Sequence, residues 1–190
     1  MLVLSRAIWF LVDTAISGYV MILMLRIMMQ LVRANAYNPL CQFVLRLTTP
    51  LVHPLQNWLP VYRGVDLAIV VLAFAFTLFK IVVYTVILAP FQPSILSLII
   101  WSLAELLQNA ASLMTYLVLA RVILTLLHNP QLEPMLAVVY ALTEPLLGRV
   151  RRAVPLIAGF DLSPLIVIVG LGVITLLLVS PLMVYVMAVS

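Results

Sequence analysis

The chain alternates long apolar runs with shorter mixed segments. Four runs, residues 7–33, 66–89, 96–128 and 162–187, carry apolar side chains around every face of the helix they would form. A helix without a polar stripe is surrounded by lipid or protein rather than water. About 20 apolar residues cross a hydrocarbon core, so each run is long enough to span. The runs 7–33 and 96–128 are longer than that, which predicts tilt or a helical extension past the bilayer.

The segments 38–60 and 133–155 follow another pattern. Leu40, Phe43, Val44, Leu47 and Leu51 recur at helical spacing, with Gln42, Arg46 and Thr49 opposite. Met135, Val138, Val139, Leu142 and Leu146 repeat the stripe. Asn38 suits a helix cap and Pro39 the first helical position, with Pro134 at the matching place. Thr48 with Pro50, and Thr143 with Pro145, then read as a fresh cap and helix start, and Pro60 and Pro155 close the units. Each middle segment is thus expected to be an amphipathic helix followed by a shorter one. Such a hairpin is too short to cross and lies in the membrane interface.

A shift of 95 residues aligns the two halves without a gap. Arg26 falls on Arg121, Pro39 on Pro134, Thr48 on Thr143, Pro50 on Pro145, Pro60 on Pro155, Gly64 on Gly159 and Asp66 on Asp161. Generic apolar similarity does not match prolines, glycines and charges at one offset, so residues 1–95 and 96–190 read as a duplication. Pro90 and Pro93 turn the chain between them. Two spans per half return the chain to its starting side, which predicts parallel repeats about an axis along the membrane normal. Arg33, Arg46 and Arg63 flank the first middle segment and Arg149, Arg151 and Arg152 the second, whereas the other side has only Arg6. The positive-inside bias puts the middle segments in the cytoplasm and both termini in the periplasm. The expected fold is an all-α membrane protein with four transmembrane helices in two parallel repeats, each with a cytoplasmic-face amphipathic hairpin.

Composition agrees. Of 190 residues, 66% are hydrophobic and 8% charged, against about 25% charged in a soluble domain. The net charge of +4 is spread along the chain, which excludes a nucleic-acid-binding face. The one dense group, Arg149, Arg151 and Arg152, reads as a lipid-facing basic patch against anionic headgroups. Cys41 is the single cysteine, so no internal disulfide forms. "ANA" at 34–36 resembles a leader-peptidase site, but Asp13, Arg26 and Arg33 interrupt the preceding run, so it reads as a retained span.

The stretch "YNPLCQFVLRLTTPLVHPLQNWLPVYRGVD" and its echo "EPMLAVVYALTEPLLGRVRRAVPLIAGFD" resemble the YggT family of bacterial and plastid membrane proteins. The motif is carried by Asn38, Pro39, Thr48, Pro50, Leu51, Pro60, Gly64 and Asp66, and again from Pro134 to Asp161. The basic stretch that usually follows the threonine–proline appears in the second half as "GRVRR", where the first half has "HPLQNW". The resemblance implies a multi-pass membrane protein connected with osmotic tolerance and ion homeostasis, cell division and shape, or, in plastids, assembly of a haem-bearing cytochrome b. It implies no active site.

Candidate chemistry is confined to charges within or beside the spans. A charge at the bilayer centre costs at least about 2.5–3.5 kcal/mol on insertion scales, so Arg26 and Arg121 at matched positions imply a role in each half. Asp66 and Asp161 open the second spans, where a carboxylate suits a helix N-terminus. The expected pairs are Arg26–Asp66 and Arg121–Asp161, each pinning a middle segment to two spans. Lys80 aligns with Thr175 and needs partners of its own, which the sequence offers in Asp13 and Glu105. Methionines at 21, 24, 28 and 29 lack the cysteine or histidine company of a copper site and read as packing. His53 and His128 do not align, which weakens a haem-ligand pair. No phosphate loop, nucleophile–base pair or metal box stands out, so no cofactor is expected. The functional expectation is a non-enzymatic scaffold or assembly factor in the inner membrane. Its expected partners are lipid and other integral membrane proteins, with a homo-oligomer possible and nucleic acid excluded. The alternative is a channel, transporter or regulator of ion flow in osmotic adaptation.

Overall fold

The computed structural model describes residues 2–62, 64–87, 93–127, 129–154 and 161–189. Six helices dominate it: α1 (Leu2–Leu31), α2 (Pro39–Gln56), α3 (Leu67–Ile87), α4 (Ile95–Leu127), α5 (Glu133–Ala153) and α6 (Ser163–Val189). Four of them contain segments long and apolar enough to cross a membrane, Arg6–Leu31, Leu67–Ile87, Ile95–Leu127 and Ser163–Val186. These spans follow the apolar runs within a few residues. Arg63, Pro90, His128, Pro155 and Gly159 lie outside the described residues, as do the expected ends of two spans.

The expected hairpins are single helices. α2 runs through Pro50 and Pro54, and α5 through Pro145. A proline removes one backbone donor but has a helix-compatible φ, so the helix continues where the freed carbonyl finds another partner. Pro50 and Pro145 stand at exposed positions, as do Arg46 and Ala141 one turn earlier, whose carbonyls lose their helical partner. The threonines do not cap new helices. Thr48 Oγ1 donates back to the Val44 carbonyl at 2.7 Å, and Thr143 Oγ1 to that of Val139 at 2.7 Å. The start of α2 follows its residues: Asn38 accepts the Leu40 amide at 3.0 Å, with Pro39 in the first turn.

A small departure from all-α is a two-stranded antiparallel hairpin, β1 (Val61–Tyr62) and β2 (Val65–Asp66), with Val61 opposite Asp66. Gly64 turns it at φ 84°, a left-handed conformation that glycine adopts without a Cβ clash.

Helix α4 is central, packing on α1, α3, α5 and α6, and α3 also packs on α1. The middle helices pack on the spans, α2 on α1 and α3 and α5 on α4 and α6, and meet each other, α2 on α5, where the Asn38 side-chain amide donates to the Pro134 carbonyl. One apolar cluster joins four helices through Met29, Cys41, Val44, Leu113, Leu117, Val138, Val139 and Leu142. A second joins α1, α2 and α3 through Val20, Leu23, Val52, Ala68, Ile69 and Ala73. Val138 is therefore a core residue, 4% exposed, whereas its aligned partner Phe43 is 57% exposed. The contact between α2 and α5 is not shared equally, and the apolar stripe turns inward on α5 further than on α2.

Candidate functional site

Three polar clusters lie inside this apolar frame. Two lie where a span meets its middle helix. Arg26, on α1, sits opposite α2 and donates from Nη1 to Thr48 Oγ1 at 2.6 Å and to Thr49 Oγ1 at 3.4 Å. Arg121, on α4, sits opposite α5 and donates from Nη1 to Thr143 Oγ1 at 3.0 Å. Both threonines are fully buried. They face the arginines and not the membrane interface, which the sequence pattern did not reveal because their proline neighbours read as helix starts.

The expected arginine–aspartate pairs do not form. Asp66 accepts the Ala68 amide at 3.0 Å and the Gln56 side-chain amide, while its own backbone amide donates to Gln30 Oε1 at 3.1 Å. Its carboxylate caps α3, and that position draws it away from direct contact with Arg26. Asp161 caps α6 in the same way, accepting the Ser163 amide at 2.9 Å, and pairs with Arg151 at 2.8 Å.

The surroundings of the two arginines then diverge. Arg121 Nη2 meets Glu144 at 2.7 Å, and its guanidinium lies 3.8 Å from the centre of the Tyr140 ring. Glu144 continues to Arg151 at 3.4 Å, so Arg121, Glu144, Arg151 and Asp161 form one alternating chain of charge. At the same register the first half carries Thr49 in place of Glu144, Leu45 in place of Tyr140 and Gln56 in place of Arg151. Arg26 has no ion pair among the described residues, and its Nε lacks any hydrogen-bond partner.

The basic patch also divides. Arg151 is drawn to Asp161 and Glu144 and away from lipid, while Arg149 and Arg152 stay exposed and make no ion pair among the described residues. Hydrogen bonding by Ser163, and after it the Arg151 guanidinium, hold the Asp161 carboxyl below its ordinary value against partial desolvation. A carboxylate depressed on folding stabilises the fold above its unfolded pKa, and that contribution disappears as pH falls through the folded value. Thermal unfolding of wild type should therefore lose more stability than Asp161→Asn on acidification below the ordinary carboxylate range. Parallel pH profiles for the two proteins would show that this pair contributes nothing.

The third cluster lies at the other end of the spans. Lys80, on α3, contacts Asp13 of α1 at 3.0 Å, Glu105 of α4 at 2.7 Å and Ser17 Oγ at 2.9 Å. Its side chain is 6% exposed, Glu105 is 21% and Asp13 41%. Trp9, Tyr84 and Trp101, each four residues from one of the charges and one turn outward, form an aromatic layer. Trp9 and Tyr84 have ring centres 5.0 Å apart, and Tyr84 and Trp101 5.6 Å. Ser17 was not legible as a participant, since one serine in an apolar run carries no signal of its own.

Among the described residues no three His, Cys, Asp or Glu side chains converge as metal ligands. A recess of about 890 Å³ opens between α4 and α6, its polar lining being Gln108, Ser112, Thr115, Tyr116, Thr175 and Ser180.

Comparison with known proteins adds the family. The CCB3/YggT family profile matches residues 5–87 and again residues 100–182. A Vibrio alginolyticus protein from the proC 3′ region is 34% identical over 163 residues, 85% of this chain and 88% of that protein. A Pseudomonas aeruginosa protein, PA0392, is 33% identical over 181 residues, covering 95% of this chain and 92% of the relative. YggT of Escherichia coli K12 is 33% identical over 169 residues, 88% and 86% of the two chains. No solved structure matches. Matched by the same profile along both halves, the chain belongs to the CCB3/YggT family.

Proposed function

We propose that this family member is a non-enzymatic scaffold or assembly factor of the inner membrane, binding lipid and other integral membrane proteins. The observation that carries the reading is the two-sided build of α2. One face, Cys41, Val44, Thr48 and Val52, is buried against the spans and held by Arg26. The outer face presents Phe43, Leu47 and Leu51, and Tyr37 and Trp58 flank the helix, each 87% exposed. Aromatic side chains concentrate at the headgroup level, and apolar helix faces enter the acyl boundary or a partner's groove. The recess between α4 and α6 supports the same reading, as a lateral opening where small and polar side chains sit among aliphatic ones suits helix–helix contact within a membrane.

In this reading the halves are two repeats in one orientation, with the middle helices cytoplasmic and both termini periplasmic. The α2–α5 contact supports it by joining the two segments at one end of the bundle. A second reading, a conduit or regulator of ion flow in osmotic adaptation, draws its support from the Lys80 cluster. Against a conduit, the Lys80 ammonium is held by Asp13, Glu105 and Ser17, and an aromatic layer lies one turn outward.

Purified protein in liposomes should pass no more potassium or sodium than empty vesicles under an ionic or osmotic gradient. Phe43→Asp and Leu47→Asp should sharply lower the recovery of co-purifying membrane proteins or lipid, with folding intact. Flux above the empty-vesicle level that disappears on neutralising Lys80 would favour the conduit.

A further inference from the structure

The unequal surroundings of the matched arginines point to a ligand. Arg26 is 6% exposed, within the span Arg6–Leu31, and carries a fixed positive charge without an ion pair among the described residues. A buried charge needs a partner of opposite sign, and removing one member of such a pair is strongly unfavourable. Asp66 acts on Arg26 through space, but its oxygens are engaged by Gln56 and the Ala68 amide. In the second half Glu144 supplies the countercharge by direct contact. In the first half Thr49 stands at that register, and a cavity of about 180 Å³ opens beside Arg26 between α1 and α2.

That cavity is built for an anion. Arg26, Gln30 and Arg33 line it at positions i, i+4 and i+7 along the chain, and Cys41 and Leu45 of α2 close the other side. Gln30 uses its side-chain oxygen on the Asp66 amide, which leaves its own amide group as a donor. Arg33 makes no ion pair among the described residues and sits at φ 51°, a left-handed conformation at the helix end where glycine or asparagine is usual. An arginine held there against its backbone preference places a second guanidinium at the mouth. The volume is several times the roughly 30 Å³ that one water occupies in the liquid, so a single bridging water does not fill it.

We propose that the first half binds a phosphate-type oxyanion between α1 and α2, held by Arg26, Arg33 and the Gln30 amide. Guanidinium forks match phosphate oxygens in geometry and charge. The anion supplies to Arg26 the countercharge that the Glu144 carboxylate supplies to Arg121 in the second half. Its source is either the headgroup of an anionic phospholipid or free phosphate.

The test uses full-length protein in nanodiscs of phosphatidylcholine, with radiolabelled inorganic phosphate in one arm and labelled phosphatidylglycerol in the other. Wild type should bind at least one of them. Thr49→Glu builds the second half's countercharge into the first, and should weaken that binding roughly tenfold or more while keeping the fold. Arg33→Gln, at the exposed mouth, should weaken it as well. Arg121→Gln should leave it in place, and the exposed Arg149 and Arg152 contribute the same background to every variant. Binding of phosphate in neutral lipid identifies a free anion, and binding of phosphatidylglycerol alone identifies a headgroup. If neither ligand binds wild type above Thr49→Glu, the site does not exist.

Discussion

Lys80→Met should destabilise the protein by about 3–5 kcal/mol. The methionine fits the volume, so the loss is electrostatic. Asp13 and Glu105, which approach Lys80 at 3.0 and 2.7 Å, would be left as two carboxylates facing one position among three spans, with no cation between them. Detergent-solubilised protein should unfold at much lower temperature or denaturant concentration than wild type. Glu105→Gln should be far milder, because Lys80 keeps Asp13 and Ser17 and the pair that remains is neutral. Adding Asp13→Asn and Glu105→Gln to Lys80→Met should recover most of the loss, since an uncharged cluster has nothing left to neutralise. If Lys80→Met alone unfolds like wild type, the contacts carry no weight and the cluster is incidental.

Thr48→Val should cost about 2–3 kcal/mol, and Thr143→Val about 1 kcal/mol, although both threonines are fully buried and the substitution is nearly isosteric. Thr48 Oγ1 is the nearest acceptor of Arg26, whose remaining contact, to Thr49, is long at 3.4 Å. Valine would leave a buried guanidinium donor with only that long contact, close to the expensive half of a broken hydrogen bond. Arg121 keeps Glu144 and the Tyr140 ring when Thr143 is removed. Thr48→Ser should restore stability, which separates the hydroxyl from packing. Chemical denaturation of the three variants beside wild type is the measurement. Equal losses at 48 and 143 would mean that the Glu144 countercharge contributes nothing to holding α5.

The spans were legible because lipid imposes a simple rule: nearly every side chain in a run of 20 or more must be apolar, and these runs obey it. The partners of Lys80 were legible for a related reason. Carboxylates are so scarce in these runs that Asp13 and Glu105 were the ones available. The junctions were less legible. Thr48 and Pro50 carry the signature of a new helix, and only the tertiary position of Arg26 shows that the hydroxyl is needed inside a continuing one. Asp66 and Asp161 have the right charge for the arginines, but the geometry of a helix N-terminus claims them first. Phe43 and Val138 occupy matched positions and opposite environments. A one-dimensional repeat does not record how far each middle helix rolls about its own axis. Nor does it say which of two arginines keeps a countercharge, since Thr49 and Glu144 are both ordinary residues for an amphipathic helix.

The cluster around Lys80 also orders events in time. A ribosome delivers α1 first, so Asp13 and Ser17 are already in the membrane when α3 emerges with its ammonium. The lysine can leave the translocation channel toward a waiting opposite charge and enter lipid as half of a neutral pair. Glu105 follows on α4 and finds the same lysine in place. If the gene were rearranged so that residues 96–190 were made before 1–95, Glu105 would arrive alone, with neither Lys80 nor Ser17 yet synthesised. The present gene order brings each intramembrane charge of this cluster after Asp13 into the bilayer behind a partner, which makes the linear sequence a schedule for insertion as well as a plan for the finished fold.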